Sequence, residues 1–252
     1  MRRCCLCLVV ACWLAATPVW AADPAAVSVA VSPESIRINA LYNGMDLTVT
    51  GRVPAGSEVV LRLLGEDKTF SMRQKGKVFG LLWMNLDKVS FTGAPNVFLA
   101  AASGGAPEAA RVKFGIPGLA DRITVAASDP DKGKLVGEFL KYQKMEKLYQ
   151  ENAGTVSLGP DADGSRPFEA VIHMPSRLSP GAYRVEVVAV NDGQVVGEGK
   201  CSLDASFVGI PAFLYKAAFE HGTLYGVMAS VIAILGGLVI SQIFNAAKGK
   251  AR

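Results

Sequence analysis

Residues 224–244 read LYGVMASVIAILGGLVISQIF, a stretch of twenty-one residues without a charged side chain. At a rise of about 1.5 Å per residue, a helix of this length spans roughly 30 Å, the thickness of the hydrocarbon core of a bilayer. A buried helix of a soluble domain rarely stays uncharged on every face over such a length. The stretch therefore predicts a transmembrane helix that follows a domain of ordinary globular composition.

The N-terminus has the pattern of a secretory signal peptide. Two arginines precede an apolar run, and Val19 and Ala21 occupy the small-residue positions of a site cleaved after Ala21. A lipoprotein signal that modifies Cys12 is one alternative, because residues 9–12 loosely fit the motif that precedes a lipidated cysteine. An uncleaved anchor is a second alternative. All of these interpretations export the central part of the chain.

Cleavage would leave one cysteine, Cys201, because the other four lie in the signal: Cys4, Cys5, Cys7 and Cys12. A single cysteine closes no disulfide within the chain, so the exported domain depends on its hydrophobic core. We interpret Cys201 as a small buried apolar residue on a strand.

The basic residues beside the apolar stretch predict its orientation. Lys248, Lys250 and Arg252 follow it closely, against Lys216 just before it. The side with more basic residues stays in the cytoplasm. This bias and the signal peptide both predict an exported domain and a cytoplasmic C-terminus.

Aromatic residues are concentrated at the outer edge of the predicted span, as in an interfacial belt: Phe207, Phe213, Tyr215, Phe219 and Tyr225. Pro211 suits the first turn of a helix. We expect that helix to continue into the membrane without interruption.

One face of the predicted span consists of small residues, within an arc of about 120° on a helical wheel. This small-residue face contains seven residues: Gly222, Gly226, Ala229, Ser230, Ala233, Gly237 and Ser241. Small side chains let a second helix approach closely, although membrane helices are in general rich in glycine. The face predicts a helix partner.

The exported domain alternates apolar with polar or small residues at 27–31, 47–49 and 59–63, and again at 168–174 and 183–190. Turn sequences separate these segments at intervals of about ten residues. The pattern predicts a mainly β domain, an immunoglobulin-like antiparallel sandwich that is either one sandwich or two. Tyr183 occupies the place of a tyrosine whose hydroxyl bonds to nearby backbone in such sandwiches.

Helical spacing interrupts the strands. Residues 131–152 place Leu135, Phe139, Tyr142 and Tyr149 on one face, which predicts an amphipathic helix packed on the sheet. Asp129 or Asp131 is the expected cap, and residues 115–119 are expected to form a connector.

These features divide the chain into seven segments: a signal peptide at 1–21, a first β-sandwich region at 22–116, a connector and amphipathic helix at 117–154, a second β region at 155–205, a juxtamembrane segment at 206–223, a transmembrane helix at 224–244 and a stub at 245–252.

Two short motifs are less generic. Residues 72–77 read MRQKGK and residues 80–85 read GLLWMN, and a later PGAY ends at Tyr183. Together with the signal and the span, in this order, they resemble the Alph_Pro_TM family of transmembrane proteins, described mainly from alphaproteobacteria. The resemblance implies a bacterial inner-membrane protein without enzyme activity or a cofactor. Members are often encoded beside permeases of the sulfite or sulfonate exporter type, which implies such a permease as a partner.

Basic residues around these motifs suggest an anion rim beside an aromatic and an amide side chain: Lys68, Arg73, Lys75, Lys77, Trp83 and Asn85. The alternative is a solvated hairpin whose following strand buries Trp83 and ends at Asn85.

The sequence shows no pattern typical of catalysis, metal binding or nucleic-acid binding. The net charge of +4 is dispersed, His173 and His221 are isolated, and the aspartates at 129–131 and 161–163 lack the other ligands of a calcium loop. We predict a non-enzymatic accessory or interaction subunit of a transporter or envelope complex. Its partner would be a permease or a second copy of the chain. The alternative is an exported ligand-binding or sensor module tethered by a plain anchor.

Overall fold

The computed structural model describes residues 27–78, 81–126 and 131–249. The predicted signal peptide and Asp129 lie outside these residues. Within them the chain is mainly β, with thirteen strands in three sheets and five helices.

The first sheet has four antiparallel strands in the order β1 (Ser28–Ser32), β3 (Met45–Pro54), β11 (Ser165–Met174) and β10 (Gly154–Leu158). Its central pair is β3 and β11, which align over ten residues, from Met45 opposite Met174 to Pro54 opposite Ser165.

The second sheet has six strands in the order β2 (Ser35–Ile38), β13 (Gln194–Phe207), β12 (Gly181–Asn191), β4 (Glu58–Leu64), β7 (Phe98–Ala102) and β9 (Tyr149–Glu151). The edge strands β2 and β9 pair in parallel with their neighbours, whereas the four central strands are antiparallel. The prediction of a purely antiparallel arrangement is therefore wrong at both edges. Parallel neighbours cannot be joined by a tight hairpin, and both edge strands are distant in sequence from the strands they contact.

The first two sheets share one hydrophobic core. Leu47 and Ile172 of the first sheet and Leu61 and Val187 of the second are all fully buried in it. Alternation explains this burial, because every second residue of a strand faces the opposite sheet. Strands from residues 155–205 pair with strands from residues 22–116 in both sheets, β11 with β3 and β12 with β4.

A third sheet was not anticipated from the sequence. It consists of β5 (Asp67–Val78), β6 (Leu82–Pro95) and β8 (Thr124–Ala126), in that order. Helix α3 (Lys132–Met145) packs against it and forms a second core around Phe139. Asp131 caps α3 as predicted, since its Oδ1 accepts a hydrogen bond from the backbone amide of Lys134 at 3.0 Å.

The prediction that this helix extends to residue 152 is wrong. Helix α3 ends at Met145, and Lys147 adopts a left-handed backbone conformation with φ of 58° that turns the chain. Tyr149 then lies in β9 and is buried, with its hydroxyl donating to the carbonyl of Pro95 at 2.6 Å. Tyr142 stays half-exposed. Four apolar residues at helical spacing therefore belong to two elements.

The prediction of a connector at residues 115–119 is also wrong. Residues 115–119 lie almost entirely in helix α2 (Ile116–Ala120), which follows helix α1 (Glu108–Phe114). The two helices meet at Gly115, whose backbone is extended. Helix α1 places Ala110 and Phe114 on the outer face of the second sheet, where they form a small core with Val60 and Val188.

The tyrosine predicted to bond back to the backbone does so. The Tyr183 hydroxyl donates to the carbonyl of Ser179 at 2.7 Å, and the Asn96 side-chain amide lies 3.4 Å from the same oxygen. Burial raises the pKa of Tyr183 to about 12. Cys201 lies on β13 as predicted and packs against the edge of the main core, but it is half-buried where a buried residue was predicted.

Candidate functional site: the membrane helix and the basic hairpin

The predicted span forms most of helix α5 (Gly222–Gly249), which follows helix α4 (Ile210–Phe219). The most apolar 18-residue window within Gly222–Phe244 has a mean hydropathy of 2.3 and is not buried within the chain at all. A soluble protein would not leave so much apolar surface in water, because each Å² costs about 25 cal/mol. The helix has the length and composition of a membrane anchor.

The expectation of one uninterrupted helix from Pro211 into the membrane is wrong. Pro211 lies in the first turn of α4 as predicted, but α4 ends before Glu220. The Glu220 amide still donates to the carbonyl of Lys216, which is the last helical hydrogen bond of α4. The Tyr225 amide then donates to the carbonyl of His221, which is the first helical hydrogen bond of α5. Two residues therefore separate the two helices.

All seven residues of the small-residue face lie in α5 and are exposed. A Cβ atom added to Gly222, Gly226 or Gly237 would meet no described atom within 4 Å. The Ser230 hydroxyl donates to the carbonyl of Gly226 at 2.9 Å, so the helix itself satisfies it. No contact among the described residues thus accounts for these glycines, each of which costs roughly 1 kcal/mol relative to alanine in an aqueous helix.

Gly236 also borders the small-residue face, although it was not predicted from the sequence. It lies about 20° beyond Ala229 on the helical wheel, and a Cβ atom there would again meet no described atom within 4 Å. The adjacent pair Gly236-Gly237 in the sequence could have indicated that Gly236 widens this face.

The structure brings together part of the predicted anion rim on the β5–β6 hairpin. Lys75 is directly opposite Asn85 and Lys77 is opposite Trp83, although the side chains of Lys77 and Trp83 lie outside the described residues. Directly opposite residues of an antiparallel pair share a face, so Lys75 and Asn85 lie on one side of the hairpin. Arg73, two residues from Lys75 on β5, shares that side.

Lys68 does not join this group. It is opposite Ala94 at the base of the hairpin, five residues or roughly 17 Å from Arg73 along the strand. Lys88 takes its place, because it is exposed and directly opposite Arg73. The register shift between Arg73 and Lys75 adds one residue to β6, so this pairing was not predictable from the sequence. The interpretation that the strand ends at Asn85 is wrong, because β6 continues to Pro95.

A concave site of about 270 Å³ lies between α1 and strands β7 and β9. Its Arg111 side chain already donates to the backbone carbonyls of Ser103, Gly104 and Ala106. Its Glu151 accepts from the amide of Ile116 at 3.1 Å. These polar groups hold α1 and α2 in place, and none of the described lining residues is aromatic.

Two of the isolated polar residues singled out in the sequence have local partners. The Nδ1 atom of His173 lies 2.8 Å from the Asp46 carboxylate on the neighbouring strand, and Asp161 pairs with Arg166 at 3.6 Å. His221 occupies the break between α4 and α5. Within residues 27–78, 81–126 and 131–249, no three His, Cys, Asp or Glu side chains are grouped as metal ligands.

Within the described residues, a mainly β domain is followed by one helix long and apolar enough to span a bilayer, which defines the class of proteins with a single candidate membrane anchor. The chain belongs to the family described as "Putative transmembrane protein (Alph_Pro_TM)", whose model matches residues 26–246. The resemblance inferred from the two short motifs is thereby confirmed. A comparison with curated proteins finds no match.

Proposed function

We propose that this protein is a non-enzymatic accessory subunit of a membrane complex. Helix α5 anchors it in the bacterial inner membrane, with the β domain in the periplasm and the C-terminus in the cytoplasm. The observation that carries the proposal is the set of exposed glycines in α5, which no contact within the described chain requires. A plain anchor would have no use for a flat face, whereas a helix that packs on another helix in lipid needs one.

The partner is a membrane helix of a permease or of a second copy of the chain. Association between helices in lipid depends on close packing and not on the hydrophobic effect, because lipid tails are as apolar as leucine. The small-residue face provides that close approach along nearly the whole span. The family resemblance supports a permease of the sulfite or sulfonate exporter type.

The two packed sheets are proposed to be an immunoglobulin-like sandwich. Their shared core and the Tyr183 hydroxyl bonded to Ser179 both support this assignment. The alternative function of ligand sensing gains little support from the cavity beside α1, because two of its charged side chains, Arg111 and Glu151, already bond to backbone. A ligand pocket usually combines an apolar, aromatic lining with polar groups that remain available.

The test replaces Ala233 or Gly237 with leucine in the full chain. A leucine side chain at either position would separate the two helices, at a cost of about 1–3 kcal/mol. Each 1.4 kcal/mol is tenfold in an equilibrium constant, so we expect the associated fraction to fall several-fold or more. The measurement is crosslinking in native membranes, followed by identification of the product.

Val239→Leu is the matched control, because Val239 lies on the opposite side of α5 and both residues are similarly apolar in lipid. It should crosslink like the parent protein. The mass of the product distinguishes a permease from a second copy. Equal crosslinking by the parent and all three variants would contradict the proposal and leave α5 as a plain anchor.

A further inference from the structure

We propose that helix α4 lies in the headgroup layer on the outer surface of the bilayer, where it holds the β domain at a fixed position above the membrane. The inference rests on the proposed anchoring by α5 and adds a second contact with lipid. Its ligand is a lipid surface with anionic headgroups.

Helix α4 exposes nearly all of its large apolar side chains. Ile210 is 66% exposed, Phe213 55% and Phe219 76%, and Ala217 alone is buried among its ten residues. A helix that is apolar on almost every side is normally covered by protein or by lipid. Within the described residues, the chain provides no such cover for α4.

One charge interrupts the apolar surface of α4. Lys216 lies between Phe213 and Phe219 on the helical wheel, about 60° from each. Its flexible stem allows the ammonium group to reach headgroup phosphates while both phenyl rings stay at the boundary with the acyl chains. This combination of a cation flanked by aromatic rings suits an anionic lipid surface better than the uncharged groove of a protein.

The short link between α4 and α5 indicates that the bilayer covers the apolar surface of α4. Glu220 and His221 alone lie between the end of α4 and the start of α5. A residue spans at most about 3.6 Å, so the end of α4 stays within roughly 11 Å of the first residue of the membrane helix. A helix tethered this closely to a span lies at the depth of the headgroups, where aromatic side chains are enriched.

Aromatic contacts connect α4 to the β domain. The ring of Tyr215 lies 5.8 Å from that of Phe207 on β13 and 4.7 Å from that of Phe219. The end of β13 is fixed in turn, because the amide of Val208 donates to the carbonyl of Ile38. A helix held at the surface would therefore fix the height and tilt of the second sheet.

The test measures depth with a fluorescent NBD group on single cysteines in the full chain, after replacement of its other cysteines by alanine. Four positions are labelled: Phe213 and Phe219 in α4, Ala233 in the middle of α5, and Asp192 in the turn between β12 and β13. The protein is reconstituted in vesicles of phosphatidylcholine and phosphatidylglycerol. The vesicles contain lipids with a nitroxide quencher near the headgroup or near the end of the acyl chain.

We expect labels at 213 and 219 to lose most of their fluorescence to the shallow quencher. The label at 233 should respond to the deep quencher, and the label at 192 to neither. Quenching at 233 with labels at 213 and 219 that behave like 192 would overturn the inference but leave the anchor intact. Deep quenching at 213 and 219 would also overturn it, because α4 would then be part of the span. Absence of quenching at 233 would instead contradict the proposed membrane anchor.

Discussion

Replacing Phe139 with alanine should lower the free energy of unfolding by about 3–5 kcal/mol. The side chain is 1% exposed and forms the centre of the core between α3 and the third sheet. Its ring stacks on Phe91 at 4.5 Å and also lies 5.3 Å from Phe70 and 6.1 Å from Tyr149. Alanine would remove all three ring contacts and leave a cavity that the surrounding strands cannot fill.

Thermal and denaturant unfolding of the detergent-solubilised full chain, followed by circular dichroism, measures this loss. Tyr142→Ala is the matched control on the same helix, because Tyr142 is half-exposed. The control should cost less than about 1 kcal/mol. Similar losses for both variants would show that α3 does not pack through Phe139.

A disulfide between Thr50→Cys and Glu169→Cys should stabilise the protein by up to about 4–5 kcal/mol, since it closes a loop of about 120 residues. Thr50 on β3 is directly opposite Glu169 on β11, and both side chains are exposed. Opposite residues of antiparallel strands have Cα atoms about 4.5–5.5 Å apart, within the range that a disulfide spans. The bond would covalently join two segments distant in sequence.

The measurement compares melting with and without a reductant, in protein whose other cysteines are replaced by alanine. Asp46→Cys with Glu169→Cys is the control, because Asp46 is four residues from Thr50 along β3, or roughly 13 Å. The control should form no bond and show no response to the reductant. A bond in the control, or none in the Thr50 variant, would contradict the pairing of β3 with β11.

The strands that form the main core were predictable because their signal is local. Leu47 and Val49 alternate with polar neighbours, and so do Val185 and Val187, whatever strand lies beside them. Their partners were not predictable, since β3 pairs with a strand more than a hundred residues away. Nothing in a period of two specifies which strand supplies the opposite hydrogen bonds.

The errors at helix ends have the same origin. Periodicity from Leu135 to Tyr149 is compatible with one helix, and only the left-handed backbone at Lys147 shows that the chain turns there. Lysine does not favour that conformation, so burial of Tyr149 against Phe98 and Phe139 stabilises the turn from a distance. Tertiary packing therefore determines where helix α3 ends, which local helix propensity does not specify.

The small-residue face and the anion rim differ in how far they could be predicted, for the same reason. The small-residue face follows from a fixed helical period, so its seven members remain on one face of α5. The anion rim depends on the register of a hairpin, and the extra residue in β6 brings Lys88 beside Arg73 and leaves Lys68 at the base. A face of one helix is a property of one segment, whereas a rim on two strands is a property of their pairing.

The most direct test of the account is the topology of the chain in the membrane. Single cysteines at Asp192, in an exposed turn of the β domain, and at Arg252 are treated with a membrane-impermeant thiol reagent in spheroplasts. The account predicts labelling at 192 in intact spheroplasts and labelling at 252 only after the membrane is permeabilised. Labelling at 252 from outside, or protection at 192, would contradict an exported β domain anchored by α5.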